Sequence, residues 1–206
     1  MNLNENNNMH LNMHTGNVPQ TQNHGGHEVF DVTEILAGTL NTLNTYAICK
    51  NQVKDPELME IVNRQEQFII QEYNTTLDCF QSGADPKVPT QSYSMNQGND
   101  FVYGLTPSAP KMPLQGGGQL DDEAISRMLL GNMKACATTK ATAALEVTNP
   151  VVRRVLSDSV PNCIEMAYEL SHYQNKHHYY QVPQLVADDM NQVINGYAAI
   201  NPQTFQ

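Results

Sequence analysis

Val53-Lys54-Asp55-Pro56-Glu57-Leu58 and, 94 residues later, Val147-Thr148-Asn149-Pro150-Val151-Val152 are one pattern written twice. In each, a short Asx side chain stands before a proline. The Asx oxygen accepts from the unpaired N–H groups of a helix's first turn, and Pro at the first helical position gives up an N–H that had no intrahelical partner. Glu57 then complements the positive end of the helix dipole. Each stretch therefore stops one helix and starts another. The same offset pairs Ile61 with Val155, Val62 with Leu156 and Ile70 with Ile164. The chain repeats a helix, Asx-Pro turn, helix hairpin.

Working outward from the first turn, Val29, Val32, Leu36, Leu40, Leu43 and Ala47 recur in steps of three and four and predict a helical apolar face, with Asp31 and Glu34 near its start. After the turn come Leu58, Ile61, Val62, Phe68, Ile69, Tyr73, Thr76, Leu77 and Phe80, until Gly83 and Pro86 end the run. Before the second turn, Asp121 is placed to cap a helix, with Leu120 and Ile125 as a hydrophobic staple and Asp122 and Glu123 in the acidic first turn. The face Ile125, Met128, Leu129, Cys136, Ala143 and Val147 follows, and beyond Pro150 the face Val152, Val155, Leu156, Ile164, Ala167 and Leu170.

Between the hairpins, residues 83–119 carry Pro86, Pro89, Pro107, Pro110, Pro113 and Gly116-Gly117-Gly118 with no sustained period, a long crossover rather than a turn. Past Pro183, residues Val186, Met190, Val193, Ile194 and Tyr197 predict a short last helix ending at Asn195-Gly196. Four long helices with short, long, short connections read as an all-α, ferritin-like four-helix bundle. The expected division is an unfolded tail at 1–27 and a bundle at 28–200: hairpin one at 28–82, the crossover at 83–119, hairpin two at 120–182 and the short helix at 184–197.

The tail assignment rests on composition. Residues 1–27 hold eight Asn and four His (His10, His14, His24, His27) with few large apolar side chains, too little to offset the entropy of ordering the backbone. Over all 206 residues only 16% are charged, against roughly a quarter in ordinary domains. Amides fill the gap: 22 Asn and 17 Gln. A formal net charge of -10 with 11 dispersed Lys and Arg disfavours nucleic acid as a partner. No apolar run nears the ~20 residues of a membrane span. The first basic residue is Lys50, so the N-terminus lacks a signal peptide's pattern and the expectation is synthesis and retention on the cytosolic side. Cys49, Cys79, Cys136 and Cys163 show no CxxC spacing and read as buried free thiols.

A ferritin-like reading raises the di-metal question, because such bundles converge Glu and Glu-x-x-His ligands on two cations. Glu169-Leu170-Ser171-His172 supplies one such motif, but the offset of 94 places Thr75 and Asp78 at the matching positions. Asp158, Asn162, Glu165, Glu169 and His172 form a polar stripe distinct from the apolar one, and the expectation is that it faces water. No catalytic, cofactor-binding or metal-binding residue is therefore assigned, and the alternative is a metal-binding protein or oxidoreductase using Glu169 and His172. Nucleophile-elbow, phosphate-loop and dinucleotide motifs are absent. Cys163 and His172 lie nine residues apart on one helix, too far along the axis at ~1.5 Å per residue to touch. His177-His178-Tyr179-Tyr180 reads as a helix end docking Tyr rings over the bundle with wet hydroxyls.

The segment from Met166 through Tyr168-Glu169-Leu170-Ser171-His172-Tyr173-Gln174-Asn175-Lys176 to Tyr180-Gln181-Val182-Pro183 resembles the second-hairpin ending of the spore coat protein F family of endospore-forming bacteria. Thr142 to Leu156, around Asn149-Pro150, is similar to that family's central helix break. Where family members commonly have Gly-Trp or Gly-Tyr, this chain has His177-His178. The resemblance implies a ferritin-like bundle without a required metal, no enzymatic activity, and a structural role in the spore coat. It implies synthesis in the mother-cell cytoplasm, with other spore coat proteins or further copies of the chain as partners. In that setting amide side chains offer uncharged packing contacts, and nine Tyr and four Cys offer cross-linking sites.

Overall fold

The computed structural model describes residues 15–96, 98–113 and 118–201. Four long helices, α1 (Gly26–Lys50), α2 (Pro56–Ser82), α3 (Asp122–Glu146) and α4 (Pro150–Lys176), are followed by a short α5 (Ala187–Ile194). Asp55 accepts from the Glu57 N–H at 2.8 Å, and Asn149 accepts from the Val151 and Val152 N–H groups at 2.9 and 3.2 Å. Both Asx-Pro turns thus cap the helices they start. Asp121 likewise accepts from the Ala124 N–H at 2.8 Å. α2 and α4 have 27 residues each and begin and end 94 residues apart.

The long helices form a bundle in which α1 packs on α2 and α3, and α4 packs on α3 and α2. The crossover runs the length of α4 in extended conformation. Asp85 meets Arg154 near the start of α4, Gln91 and Tyr93 meet Asn162 at its middle, Val102 pairs with Asn175 at its end, and Thr106 pairs with Gln181 beyond it. A parallel bridge between Tyr103 and Val182 closes the path, and among the described residues no longer strand forms. No helix among them is long and apolar enough to cross a membrane.

The buried faces differ from the apolar stripes read in the sequence. On α1 the buried positions are Glu28, Val32, Ile35, Thr39, Thr42, Tyr46 and Cys49, whereas Val29 and Leu40 are exposed. Adding 94 to this face gives Ser126, Leu129, Met133, Cys136, Lys140 and Ala143, which is the inward face of α3, while Met128 points out. On α4 the stripe expected to face water does not: Asn162, Glu169 and His172 are buried and Ile164 is exposed, as is its repeat partner Ile70. The reason is that the core is not uniformly apolar. One apolar cluster, around Leu58, Ile61, Leu129, Met166 and Tyr173, fills the end nearest the first turn, and a second, around Val32, Cys79, Val152 and Leu156, fills the other. Buried Thr39, Thr42, Gln65, Glu72, Lys140, Ser159 and Asn162 contribute polar groups to the interior. A criterion that equates inside with apolar misplaces any helix crossing such a region. Pro161 sits within α4 without ending it, although it leaves the Ser157 carbonyl without its i+4 donor.

The expected tail also changes. Residues 1–14 lie outside the described residues, but Gln20–Gln22 form a 3₁₀ turn packed against the end of α2, and α1 starts at Gly26. Gly83 caps α2 at φ 67°, and a Cβ there would overlap the Gln20 carbonyl. His24 lies 5.0 Å ring to ring from Phe80 and bonds Glu28 at 2.6 Å. Fully buried Glu28 accepts from the Thr148 and Asn149 N–H groups, each at 2.9 Å, so the first turn of α1 is tied to the second Asx-Pro turn. These contacts give residues 20–27 partners that composition alone does not reveal.

Candidate functional site

Glu169 is the most heavily engaged charged group in the interior. Its side chain is fully buried, and its helical position on α4 turns it toward α2 and the crossover. Arg64 of α2 donates to one carboxylate oxygen. Gln65 Nε2, at 2.8 Å, and the Tyr93 hydroxyl donate to the other. Arg64 Nε also reaches the Tyr93 hydroxyl at 3.1 Å, and the Tyr46 hydroxyl donates to Gln65 Oε1 at 2.5 Å. Burial and the Glu169 charge push the Tyr93 phenol well above its ordinary range, so it stays a proton donor at any physiological pH. Burial alone would lower the Arg64 pKa, but hydrogen bonds to Glu169 and Tyr93 outweigh it and hold it up.

A second carboxylate, Glu72 on α2, pairs with Lys140 of α3 and accepts from Asn162 Nδ2 at 3.0 Å. Burial would lower the Lys140 pKa, and the Glu72 charge more than reverses it. Asn162 also donates to the Gln91 carbonyl at 2.8 Å and accepts from the Tyr93 N–H at 2.9 Å. One connected network therefore runs from Lys140 through Glu72, Asn162 and Tyr93 to Glu169, Arg64, Gln65 and Tyr46, joining all four long helices and the crossover. Each buried charge has an opposite charge and further hydrogen bonds, the condition under which a buried ion pair is tolerated.

These residues do not fit a di-metal centre. The positive charge that a metal would bring to the two carboxylates is already supplied by Arg64 and Lys140. Among the described residues no three His, Cys, Asp or Glu converge as ligands. Glu169 and His172 are one turn apart on α4 but are used separately. His172 Nε2 bonds the Asp100 carbonyl at 3.0 Å, and its ring meets Phe101 edge-on at 5.6 Å. Thr75 donates to the Val88 carbonyl and Asp78 accepts from the Lys87 N–H, so neither joins the network. Asp158 and Glu165 remain outside the buried set. The network residues missed in the sequence are Arg64, Gln65, Glu72, Tyr93 and Lys140. The offset of 94 carries a signal for one of them, since it places Lys140 opposite the buried Tyr46.

At the bundle end bearing the first turn, Tyr173 is fully buried and donates to Asp55 Oδ2 at 3.0 Å, with the His177 ring tilted over it at 4.4 Å and stacked on Tyr179 at 5.6 Å. The aromatic ending does dock over the bundle, but the Tyr173 hydroxyl is bonded rather than wet. The opposite end mirrors it: Asn149, the cap of α4, donates to the carbonyl of Gly83, the cap of α2, at 3.2 Å. All four cysteines are free thiols. Cys136 of α3 and Cys163 of α4 hydrogen-bond one another beside Lys140.

Residues 121–183, which include α3, α4 and the aromatic cap, match the family model of the Coat F domain. The chain is 48% identical over 179 residues to the spore coat protein F-like protein YhcQ of Bacillus subtilis, covering 87% of this chain and 82% of that protein. A crystal structure assigned as a spore coat protein of Bacillus halodurans superposes with a TM-score of 0.61 at 16% identity, over 83% of this chain and all of the other, a likeness of fold alone. The helix break, the aromatic cap and the extent of identity together place this chain in the spore coat protein F family.

Proposed function

We propose that this chain is a structural component of the bacterial spore coat, a ferritin-like bundle of two repeated hairpins that acts by packing against other coat proteins and against copies of itself rather than by catalysis. On this reading it is made in the mother-cell cytoplasm and laid onto the forespore, its first residues forming a tail and residues from about 20 onward the bundle. The observation that carries the proposal is the coupling of family membership with the use of the bundle interior. Where a ferritin-like oxidoreductase needs open carboxylates and histidines, Glu72 and Glu169 are neutralised by Lys140 and Arg64. Large apolar side chains remain on the outside, among them Phe30, Ile48, Leu145 and Ile164 and, on α5, Val193 and Ile194. Side chains of this kind on a chain with only 16% charged residues suit permanent contact with neighbouring proteins.

The test is a fluorescently tagged copy followed through sporulation. A ring on the forespore that persists on released spores is expected, and diffuse signal left behind in the lysed mother cell overturns the proposal. Elemental analysis of protein produced with added iron and manganese addresses the competing chemistry: stoichiometric metal lost in Glu169→Gln and His172→Ala would replace the structural reading with the metal one.

A further inference from the structure

Two of the four thiols are arranged differently from the rest. Cys49 is buried in the apolar cluster, and Cys79 donates to the Thr76 carbonyl at 3.2 Å. Cys136 and Cys163 instead face each other across the α3–α4 contact, close enough to share a hydrogen bond. Cys163 is fully buried, whereas Cys136 lines a cleft of about 240 Å³ between α1 and α3. Small side chains keep the cleft open: Gly38, Thr39 and Thr42 from α1, and Ala135 beside Cys136 on α3. The volume admits several water-sized molecules at ~30 Å³ each. Asn132, on the same wall, has its buried Nδ2 unpartnered, a donor available to an oxygen atom in the cleft. Lys140 follows Cys136 by one helical turn and lies on the same face of α3.

We propose that Cys136 and Cys163 form a peroxide-reactive dithiol, Cys136 receiving a small hydroperoxide through the α1–α3 cleft and Cys163 closing a disulfide behind it. The Cys136 thiolate attacks one peroxide oxygen, the O–O bond breaks, and a sulfenic acid and a hydroxide result. The Cys163 sulfur then displaces the hydroxyl from the sulfenic acid, forming the S–S bond, and its proton leaves with that hydroxyl as water. The proton Cys136 had released converts the hydroxide to a second water. In sum two thiols and one hydrogen peroxide give one disulfide and two waters, the sulfurs losing the two electrons that the peroxide gains. The division of roles follows from the surroundings. The hydrogen bond with Cys163 holds the Cys136 thiol down, to about 7, against the opposing effect of burial and with help from the Lys140 ammonium. The same pairing pushes Cys163 up and keeps it protonated. The other ionisable groups facing the pair are Glu72 and the Tyr46 phenol.

The test uses the full, reduced chain with one equivalent of hydrogen peroxide at neutral pH, quenched by alkylation and read by peptide mass spectrometry. The expected product is a Cys136–Cys163 linked peptide with Cys49 and Cys79 still alkylatable, formed on the order of ten-fold faster than oxidation of free cysteine, as the larger thiolate fraction requires. In Cys163→Ser the reaction stops at a sulfenic acid on Cys136 that dimedone traps, and in Cys136→Ser residue Cys163 stays reduced. The unsubstituted chain in concentrated urea decides the matter if a variant fails to fold, because there the selectivity must vanish. Absence of the linked peptide in the folded chain, linkage to Cys49 or Cys79 at a similar rate, or equal selectivity in urea each overturns the proposal.

Discussion

Lys140 and Glu72 form an ion pair whose two side chains are only 3% and 5% exposed, and it binds α3 to α2 through the middle of the bundle. The pair is best understood by removing half of it. Lys140→Met leaves an uncompensated carboxylate among Asn162, Cys136 and Cys163, and the loss of one partner of a buried pair typically costs about 3–5 kcal/mol. Replacing both, as Lys140→Met with Glu72→Leu, removes the charge altogether and is expected to recover most of that loss. Urea denaturation of the two single variants and the double variant, read as a cycle, checks this. A double variant as unstable as Lys140→Met alone would mean that the pair is not the unit of stability.

Glu28 makes a pH-dependent contribution. His24 and the N–H groups of Asn149 and Thr148 hold its carboxyl below the ordinary value of 4.5, although burial acts in the opposite direction. The folded state therefore binds this proton more weakly than the unfolded chain does. Its stabilisation is complete above pH 4.5 and is lost as pH falls through the lower folded-state value. Glu28→Gln should flatten the acid limb of a thermal-melt profile while lowering stability at neutral pH, since an amide cannot accept equally from all these donors. An acid limb unchanged by the substitution would show that Glu28 has the same affinity for its proton in both states.

The two principal helix ends respond to glycine in opposite directions. Gly83 stands at φ 67° against the Gln20 carbonyl, so Gly83→Ala adds left-handed strain and a backbone clash and should cost at least ~1 kcal/mol. His178 occupies the same region at φ 59° just past the end of α4, where its N–H bonds the Asn175 carbonyl at 3.0 Å. His178→Gly relieves strain at the position where relatives commonly place glycine, and should stabilise by ~0.5–1 kcal/mol. Denaturation midpoints of the two variants check the opposite signs.

These ends also show where the sequence is legible. Asp55-Pro56, Asn149-Pro150, Asp121 and Gly83 are local signals, satisfied by hydrogen bonds within a few residues, and each marks a helix boundary in the structure. The inward face is less local. On α1 the apolar residues Val29 and Leu40 point out while Thr39 and Thr42 point in, because Gly38 and Ala135 line an α1–α3 cleft and Thr42 bonds back to the Gly38 carbonyl at 3.0 Å. Glu169 looks solvated when its own helix is read alone. Its partners Arg64 and Tyr93 are 105 and 76 residues away, and no periodicity within α4 encodes them. The repeat does encode part of the answer, for the buried face of α1 shifted by 94 is the buried face of α3.

Ile70 and Ile164 occupy equivalent positions on α2 and α4 and are 45% and 56% exposed. Neither is needed to fill the core, so Ile70→Lys and Ile164→Lys should change stability by no more than ~0.5 kcal/mol, the usual range for surface substitutions. If the outer faces are packing surfaces, the same changes place a charge where a neighbouring protein must desolvate it, at a cost of several kcal/mol per contact. The expected outcome is a double variant with an unaltered melting profile that fails to enter the coat of sporulating cells, measured by quantifying the tagged chain in purified spores against its total in the culture. Normal incorporation of the double variant would move the packing surface elsewhere on the bundle, and the exposed apolar residues of α5, Val193 and Ile194, would be the next to replace.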